Sequence, residues 1–520
     1  MAELDGTVPA RAQDRKMLEK SRNSMENPYG RIMKSTFVMG GSSVITIVLG
    51  IVRNKILALI LGPSGMGLTG IYQSITNLIS SISGLGIGES GVRQIAVALG
   101  TDDQTKISRT IVALRRTALL SGISGFFLLF VLSKKASLLT FGNSAHEIDL
   151  AILSVTVFFG AVSAGQIALI QGMQRIKDLA KLGILGAFFG TVFSIPIIYL
   201  FKERGIVFFL LMVSAMSIIT SWWYSRKIRV ISLVISWRAS LLEAKPLLSL
   251  GVALMFGSLI ITATQYFLRL IVVRSLGLGA AGIYQASSML SAVYVSILLN
   301  AMITDYYPRL SALSHNDSEC KSLVNRQVEV GMLFAVPGVL TTMTFAPLAI
   351  QLFYSSKFMV AIEILRWQIL GVFLQAVSWP MGFIFRAKGE GKLFVLTEVL
   401  HNSAYIFFSW IGIKYLGLPG IGMAFFGMNL IYLALIYLIV RRKYEFSFSS
   451  INIRILLILG TALGMVFLSP HFLHRGHLFV NLGITLATCV FSIRKIIDIG
   501  GTGLILSFLS RLKSGLSKSG

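Results

Sequence analysis

The chain has 520 residues, 54% of them hydrophobic and only 13% charged, whereas soluble globular proteins carry about 25% charged residues. A soluble fold of this length needs a charged exterior that this composition cannot supply. Most of the surface must therefore face lipid, and the chain reads as an all-α, polytopic membrane protein. The formal net charge of +25 would suit a nucleic-acid ligand, but the placement of the cations, given below, argues against one.

In chain order, residues 1–34 are polar and hold Arg11, Arg15, Lys16, Lys20, Arg22, Arg31 and Lys34. They lack the apolar core and small-residue cleavage site of a secretory signal, so they read as a disordered cytoplasmic tail. Fourteen apolar runs of helical length follow, at 35–60, 69–89, 111–132, 150–172, 180–200, 206–224, 247–272, 281–303, 329–350, 362–385, 393–414, 420–440, 454–471 and 476–493. Each can cross a hydrocarbon layer roughly 30 Å thick. The last two are short, and twelve spans with a peripheral C-terminal hairpin is the competing count.

The loops alternate in charge. One set holds Arg93, Lys106 and Arg109; Arg175, Lys177 and Lys181; Arg226 to Lys245; Arg309 to Arg326; Arg386, Lys388 and Lys392; and Arg441 to Arg454. The other set holds far fewer cations, among them Lys134, Lys202, Arg274, Lys357 and Lys414. This is the positive-inside pattern, with both termini inside, and it accounts for the net charge through topology and anionic headgroups. No loop is long enough for a soluble domain. The 225–246 stretch, with Trp237 and Leu241 among its cations, and the tail from 501 read as interfacial amphipathic helices. Cys320 and Cys489 lie far apart in unlike contexts and offer neither a disulfide framework nor metal-ligand spacing.

Two stretches share a tetrapeptide: LGPSGMGLTGIYQS at 61–74 and LGLGAAGIYQAS at 276–287. Each follows a span, sits at a sparsely charged turn and opens the returning span. The chain therefore reads as two six-span halves in parallel orientation, with two further spans. The divisions are a tail at 1–34, an N-lobe at 35–225, a linker at 226–246, a C-lobe at 247–441, and two extra spans with a tail at 442–520. Ser42, Thr46, Gly50 and Arg53 share one helix face, as do Ser258, Thr262, Gln265 and Arg269. Arg53 lies nine residues before Gly62 and Arg269 eight before Gly277, which places the two arginines equivalently in the halves. The glycines themselves read as tight turns and close helix packing more than as a binding site.

Four cations remain within the spans: Arg53, Lys55, Arg269 and Arg366. A charge at the bilayer centre costs at least about 2.5–3.5 kcal/mol, so each needs a reason. Lys55 can snorkel outward or serve the site. Arg366 is expected to pair with Glu363, one turn earlier. Arg53 and Arg269, with Lys55 and Gln265, are the candidate cationic lining of a central cavity. Glu398, and after it Glu89, are the candidate sites of proton or ion coupling, although Glu89 is also placed to pair with Arg93. His471, His474 and His477 share a turn and read as a solvated cluster before a metal site. No phosphate-binding loop, metal cluster or catalytic triad stands out, so no cofactor is called for.

Residues 54–96, NKILALILGPSGMGLTGIYQSITNLISSISGLGIGESGVRQIA, resemble the first hairpin of the O-antigen and polysaccharide repeat-unit flippases. These belong to the multidrug/oligosaccharidyl-lipid/polysaccharide exporter superfamily. Residues 275–313, SLGLGAAGIYQASSMLSAVYVSILLNAMITDYYPRLSAL, are similar to that family's second-lobe hairpin. The resemblance implies a transporter, not an enzyme, in the bacterial inner membrane. It would move an undecaprenyl-pyrophosphate-linked oligosaccharide from the inner to the outer leaflet by alternating access. Arg53 and Arg269 would then meet the pyrophosphate, since arginine presents planar, bidentate donors. The implied partners are that lipid-linked oligosaccharide, membrane lipids, and a polysaccharide polymerase with other assembly proteins; nucleic acid is not among them. Three other readings stand beside it: an ion-coupled multidrug exporter of the same superfamily, a flippase for another polyprenyl-linked precursor such as that of peptidoglycan, and a membrane enzyme such as a polymerase.

Overall fold

The computed structural model describes residues 28–101, 103–228, 231, 235–472 and 476–500. Among the described residues every regular element is helical. The elements are α1 (Pro28–Ser83), α2 (Ile87–Leu99), α3 (Gln104–Phe141), α4 (Glu147–Gly172), α5 (Ile176–Phe201), α6 (Gly205–Ser225), α7 (Trp237–Glu243), α8 (Lys245–Ala301), α9 (Tyr307–Ala312), α10 (Asp317–Phe353), α11 (Ala361–Ala387), α12 (Gly391–Leu416), α13 (Pro419–Tyr444), α14 (Ser450–Phe472) and α15 (His477–Gly500).

The two longest helices, α1 with 56 residues and α8 with 57, each break once, at Gly62 (φ 64°) and Gly277 (φ 84°). Positive φ is open to glycine at little steric cost, so each LG pair becomes a reversal between two membrane-length arms. Pro63 follows at the start of the second arm, where its missing N–H would have had no helical acceptor. With α1 and α8 each counted as two arms, the described residues make fourteen membrane-length arms: six in a first lobe, six in a second, and the α14–α15 hairpin. Nine described stretches are long and apolar enough to cross a membrane, three of them bent pairs. Only α12 and α15 fall outside that set. Both carry more polar residues, including Glu398 and His401 on α12 and Asn481 and Arg494 on α15.

Two spans are much longer than the apolar runs suggest. α3 has 38 residues and α10 has 37, about 56 Å each at 1.5 Å per residue. At the end that carries the basic loops, here termed the basic end, α3 begins seven residues before its apolar run and α10 twelve; at the other end α3 continues nine residues past its run and α10 three. Each is started by a side-chain cap: Asp103 accepts from the Thr105 and Lys106 amides at 2.8 and 3.2 Å, and Asn316 from Ser318 and Glu319 at 3.1 and 3.2 Å.

The lobes meet along α1 and α8, most tightly at the opposite, turn end. A Cβ on Gly67 would lie 2.0 Å from the Leu278 carbonyl, and one on Gly282 would lie 1.8 Å from the Pro63 carbonyl. Only glycine fits at either place. The two contacts mirror one another if Gly62 matches Gly277, Pro63 matches Leu278 and Gly67 matches Gly282. The shared tetrapeptide does not follow that register: Gly70 lies eight residues after Gly62, but Gly282 only five after Gly277. At the basic end the lobes touch again, with Gly86 and Gly251 so close that a Cβ on either would meet the facing backbone at 2.1 or 2.2 Å.

Two expected ion pairs are absent. Glu89 is exposed in the first turn of α2 and makes no bridge to Arg93. Arg366 turns away from Glu363 and donates its Nη2 to the Val466 and Phe467 carbonyls of α14 at 3.1 and 2.6 Å, stacking on the Phe467 ring. The cause is Pro470. It lacks the N–H that would bond the carbonyl four residues back, so the Val466 carbonyl is open to other donors and takes both the Ser469 hydroxyl at 3.0 Å and Arg366. With the Thr344–Thr485 hydroxyl contact at 3.1 Å, this fastens the last hairpin to the second lobe. Within the 225–246 stretch the described helix is α7, capped by Ser236, with the Arg116 guanidinium 4.5 Å over Trp237. The Leu241 side chain, the tail from 501, His474 and the His471 side chain lie outside the described residues.

Candidate functional site

Arg269 sits on the first arm of α8, eight residues from the Gly277 break, about 12 Å below the turn end. Its Nη1 donates to the Ser74 hydroxyl on the second arm of α1, across the lobe seam, and its Nη2 to Gln285 Oε1 at 2.5 Å. Gln285 is the glutamine of the second GIYQ and lies on the other arm of α8, so one guanidinium ties three arms together. Its Nε is buried with no acceptor. No described carboxylate pairs with it. The result is a full positive charge in a low-dielectric seam, held only by neutral oxygens and still one acceptor short.

Arg53 is not its twin. In the register set by the glycine contacts, Arg269 corresponds to Asn54, and Arg53 to the buried Leu268. The contacts agree: Arg269 reaches Ser74, while Asn54 Nδ2 reaches Met289 Sδ at 3.6 Å, and Met289 corresponds to Ser74. The expectation that the arginines occupy equivalent places fails because a one-residue offset turns a helical side chain by about 100°. Arg53 instead lies with its Cζ 5.9 Å over the Phe209 ring of α6, and its Nε is also buried and unmet.

The other candidates separate. Lys55 Nζ donates to the Gln351 carbonyl at 2.7 Å, capping the C-terminal end of α10 in the opposite lobe. Gln265 is exposed. The hydroxyls of Ser42, Thr46, Thr262 and Ser258 bond back to their own helices, and Ser258 also meets Ser81 across the seam at 3.1 Å. Glu398 is half-buried between α12 and α13, where its Oε1 accepts from the Tyr432 hydroxyl at 3.3 Å. His401 packs its ring 4.5 Å from that of Tyr432 and keeps its Nδ1 unmet. The sequence reading missed His401, although its i,i+3 spacing from Glu398 placed both on one face. No group of three or more described His, Cys, Asp or Glu side chains is arranged to hold a metal.

Arg274, read from sequence as a loop cation, plays the part of Lys55 in the other lobe from a position one helical turn out of register. Its Nη2 and Nε donate to the Leu138 and Leu139 carbonyls, each at 3.0 Å, at the C-terminal end of α3. Leu138 lies 35 residues after Asp103 and Gln351 lies 35 after Asn316, so the two acceptors are equivalent positions on equivalent helices. Each lobe thus sends one cation to cap a long helix of the other. Tyr266 adds a bond to Thr140 at 2.9 Å. Together these contacts close the turn end.

Residues 56–363 match the model of a family described as polysaccharide biosynthesis protein. The chain is 23% identical over 376 residues to the lipid III flippase of Escherichia coli (strain K12), covering 71% of this chain and 88% of that one, and equally so to the lipid III flippase of Shigella flexneri. Among solved structures it superposes on the lipid II flippase MurJ in an inward closed conformation with a TM-score of 0.67 at 13% identity, covering 89% of this chain and 99% of that one. An inward-facing multidrug resistance MATE family transporter of the MOP superfamily gives a TM-score of 0.67 at 17% identity, covering 77% and 94%. The chain therefore shares its fold with these two structures.

Proposed function

Because the chain belongs to the polysaccharide biosynthesis protein family, we propose that it is a lipid-linked oligosaccharide flippase. Its cargo would be an undecaprenyl-pyrophosphate-linked repeat unit of the O-antigen type, moved by alternating access from the inner to the outer leaflet of a bacterial inner membrane. The basic end, with both termini, would face the cytoplasm.

The observation that carries this reading is Arg269. It is a part-buried cation at the lobe seam, its Nε fully buried, with no described acid paired to it, bonded to Ser74 of the other lobe. When the lobes part, Ser74 leaves with the first lobe and Nη1 loses its acceptor. The guanidinium then offers that donor and its unmet Nε to an incoming anion. A pyrophosphate supplies the acceptors that the seam withdraws, so cargo binding and lobe separation favour one another. Arg53, also short of an acceptor, is the second cation, while Lys55, engaged with the end of α10, and the exposed Gln265 are the outlying candidates. Glu398, whose carboxyl meets Tyr432, is the coupling acid, and Glu89 at the basic end is the second candidate. A multidrug exporter of cationic drugs would share the fold, but the deep charges here are mainly positive, and the seam cations Arg53 and Arg269 would repel that cargo.

Proteoliposomes holding a labelled undecaprenyl-pyrophosphate oligosaccharide test the reading, with an impermeant glycosidase or lectin reporting exposure. Lipid II and a lipid III preparation serve as comparison cargoes. Wild type should expose label faster than Arg269→Gln and Arg53→Ala, and Arg269→Lys should keep partial activity. Equal rates in all variants, or none above empty liposomes with every cargo, would sink it.

A further inference from the structure

A cavity of about 590 Å³ opens inside the first lobe, away from the seam, between α3, α4 and α6. That volume is in the range of small-molecule sites. Its polar lining comes from Arg115, Gln166, Ser225 and Arg226, and no acidic residue lines it. Gln166 lies near the basic end of α4 and Arg226 directly follows α6, so the cavity lies toward the basic end, where hydrocarbon gives way to headgroups.

Its chemistry is that of an anion site. Arg226 stacks over Trp223 at 3.8 Å and Trp222 at 4.7 Å. Stacking uses the faces of the guanidinium and leaves its in-plane N–H groups free to donate. Ser221 donates to Gln166 Oε1 at 2.6 Å, which leaves the amide NH₂ of Gln166 as the group able to serve a ligand. Arg115 is exposed and has no acid partner among the described residues. The site therefore presents donors without carboxylates. Around it, Leu119 and Trp222 are exposed apolar side chains, as suits a mouth that faces lipid.

We propose that this cavity seats the phosphate group of a membrane lipid entering sideways from the leaflet at the basic end, with Arg115 and Arg226 donating to the phosphate, Gln166 to a neighbouring oxygen, and Trp222 and Leu119 packing on the first carbons of the lipid. The site is separate from Arg53 and Arg269 and does not depend on the cargo assigned above. An anionic glycerophospholipid and a polyprenyl pyrophosphate share the required chemistry.

Native mass spectrometry of the full chain released from detergent tests it, with dioleoylphosphatidylglycerol, dioleoylphosphatidylcholine and undecaprenyl pyrophosphate as probes. Wild type should retain phosphatidylglycerol over phosphatidylcholine. The Arg115→Ala, Arg226→Ala double variant should retain it at least about tenfold less, the loss of one strong charge-assisted contact or more. Arg115→Lys with Arg226→Lys should keep part of the retention, and Arg441→Ala, at the basic end but outside the cavity, all of it. Displacement of phosphatidylglycerol by undecaprenyl pyrophosphate in wild type assigns the polyprenyl lipid as the occupant; failure to displace assigns the glycerophospholipid. The proposal is overturned if wild type shows no preference between the glycerophospholipids, or if a double variant that melts like wild type retains phosphatidylglycerol equally well.

Discussion

Removing both cross-lobe caps, by Lys55→Met with Arg274→Met, should open the turn end. Lys55 gives one charge-assisted bond to a helix C-terminal carbonyl and Arg274 gives two. Hydrogen bonds to charged groups contribute about 1.5–3 kcal/mol when shielded. Both cations are part-exposed, and a cation at a helix C-terminus contributes typically 0.3–1 kcal/mol. We therefore assign about 1 kcal/mol to each cap. The sum of about 2 kcal/mol shifts the closed-to-open equilibrium by roughly thirtyfold. Methionine keeps the apolar stem, so packing changes little. The assay is double electron–electron resonance between spin labels at Asn143 and Lys357, exposed positions at the turn end of the two lobes, with Cys320 and Cys489 replaced by serine. The double variant should gain a longer-distance population, and Lys55→Arg with Arg274→Lys should resemble wild type. An unchanged distribution in the methionine variant would refute the claim that these caps hold the turn end shut.

Further outcomes follow from the close contacts. Gly282→Ala places a Cβ 1.8 Å from a carbonyl, while at Gly279 the nearest atom lies 3.6 Å away. Gly282→Ala should therefore lower the melting temperature in detergent sharply, and Gly279→Ala should leave it equal or slightly higher, since alanine gains about 1 kcal/mol over glycine within a helix. Arg366→Met should loosen α14, seen as faster proteolysis between residues 445 and 450, at a cost of about 1–3 kcal/mol. Glu363→Gln should be silent, because no bridge joins the two.

Span number and hairpin turns were legible because lipid imposes them: apolar runs must be about twenty residues long, and a reversal inside a helical run needs a residue that accepts positive φ. Partners were less legible. Arg366 was matched with the nearest acid, one turn away, because its true acceptor is a backbone carbonyl exposed by a proline 104 residues later. Arg274 was assigned to a loop for the same reason, since a helix end is invisible as an acceptor until the other lobe is in place. The overrun of α3 and α10 was hidden by their polar ends, although Asp103 and Asn316 are cap residues that could have marked the starts. The pairing of Arg53 with Arg269 failed on a single residue of offset, which hydrophobic spacing cannot resolve but two backbone contacts can.

The reciprocal contact of Gly67 with Leu278 and of Gly282 with Pro63 has the form of an isologous interface, in which one patch meets its own counterpart. Such a surface arises when two copies of a single six-helix chain face each other about a twofold axis. Joined in one polypeptide, the copies are freed from identity everywhere except at the joint, and the slipped tetrapeptide records that freedom. The kink glycines and the joint glycines still obey the axis. The tyrosine and glutamine beyond them have moved by about one helical turn: Tyr72 now bonds Asp149 at 2.5 Å and His146 at 2.8 Å, and Gln285 bonds Arg269. The molecule keeps a shared hinge line inherited by both halves and has divided the polar work between them, anchoring in one and charge-holding in the other.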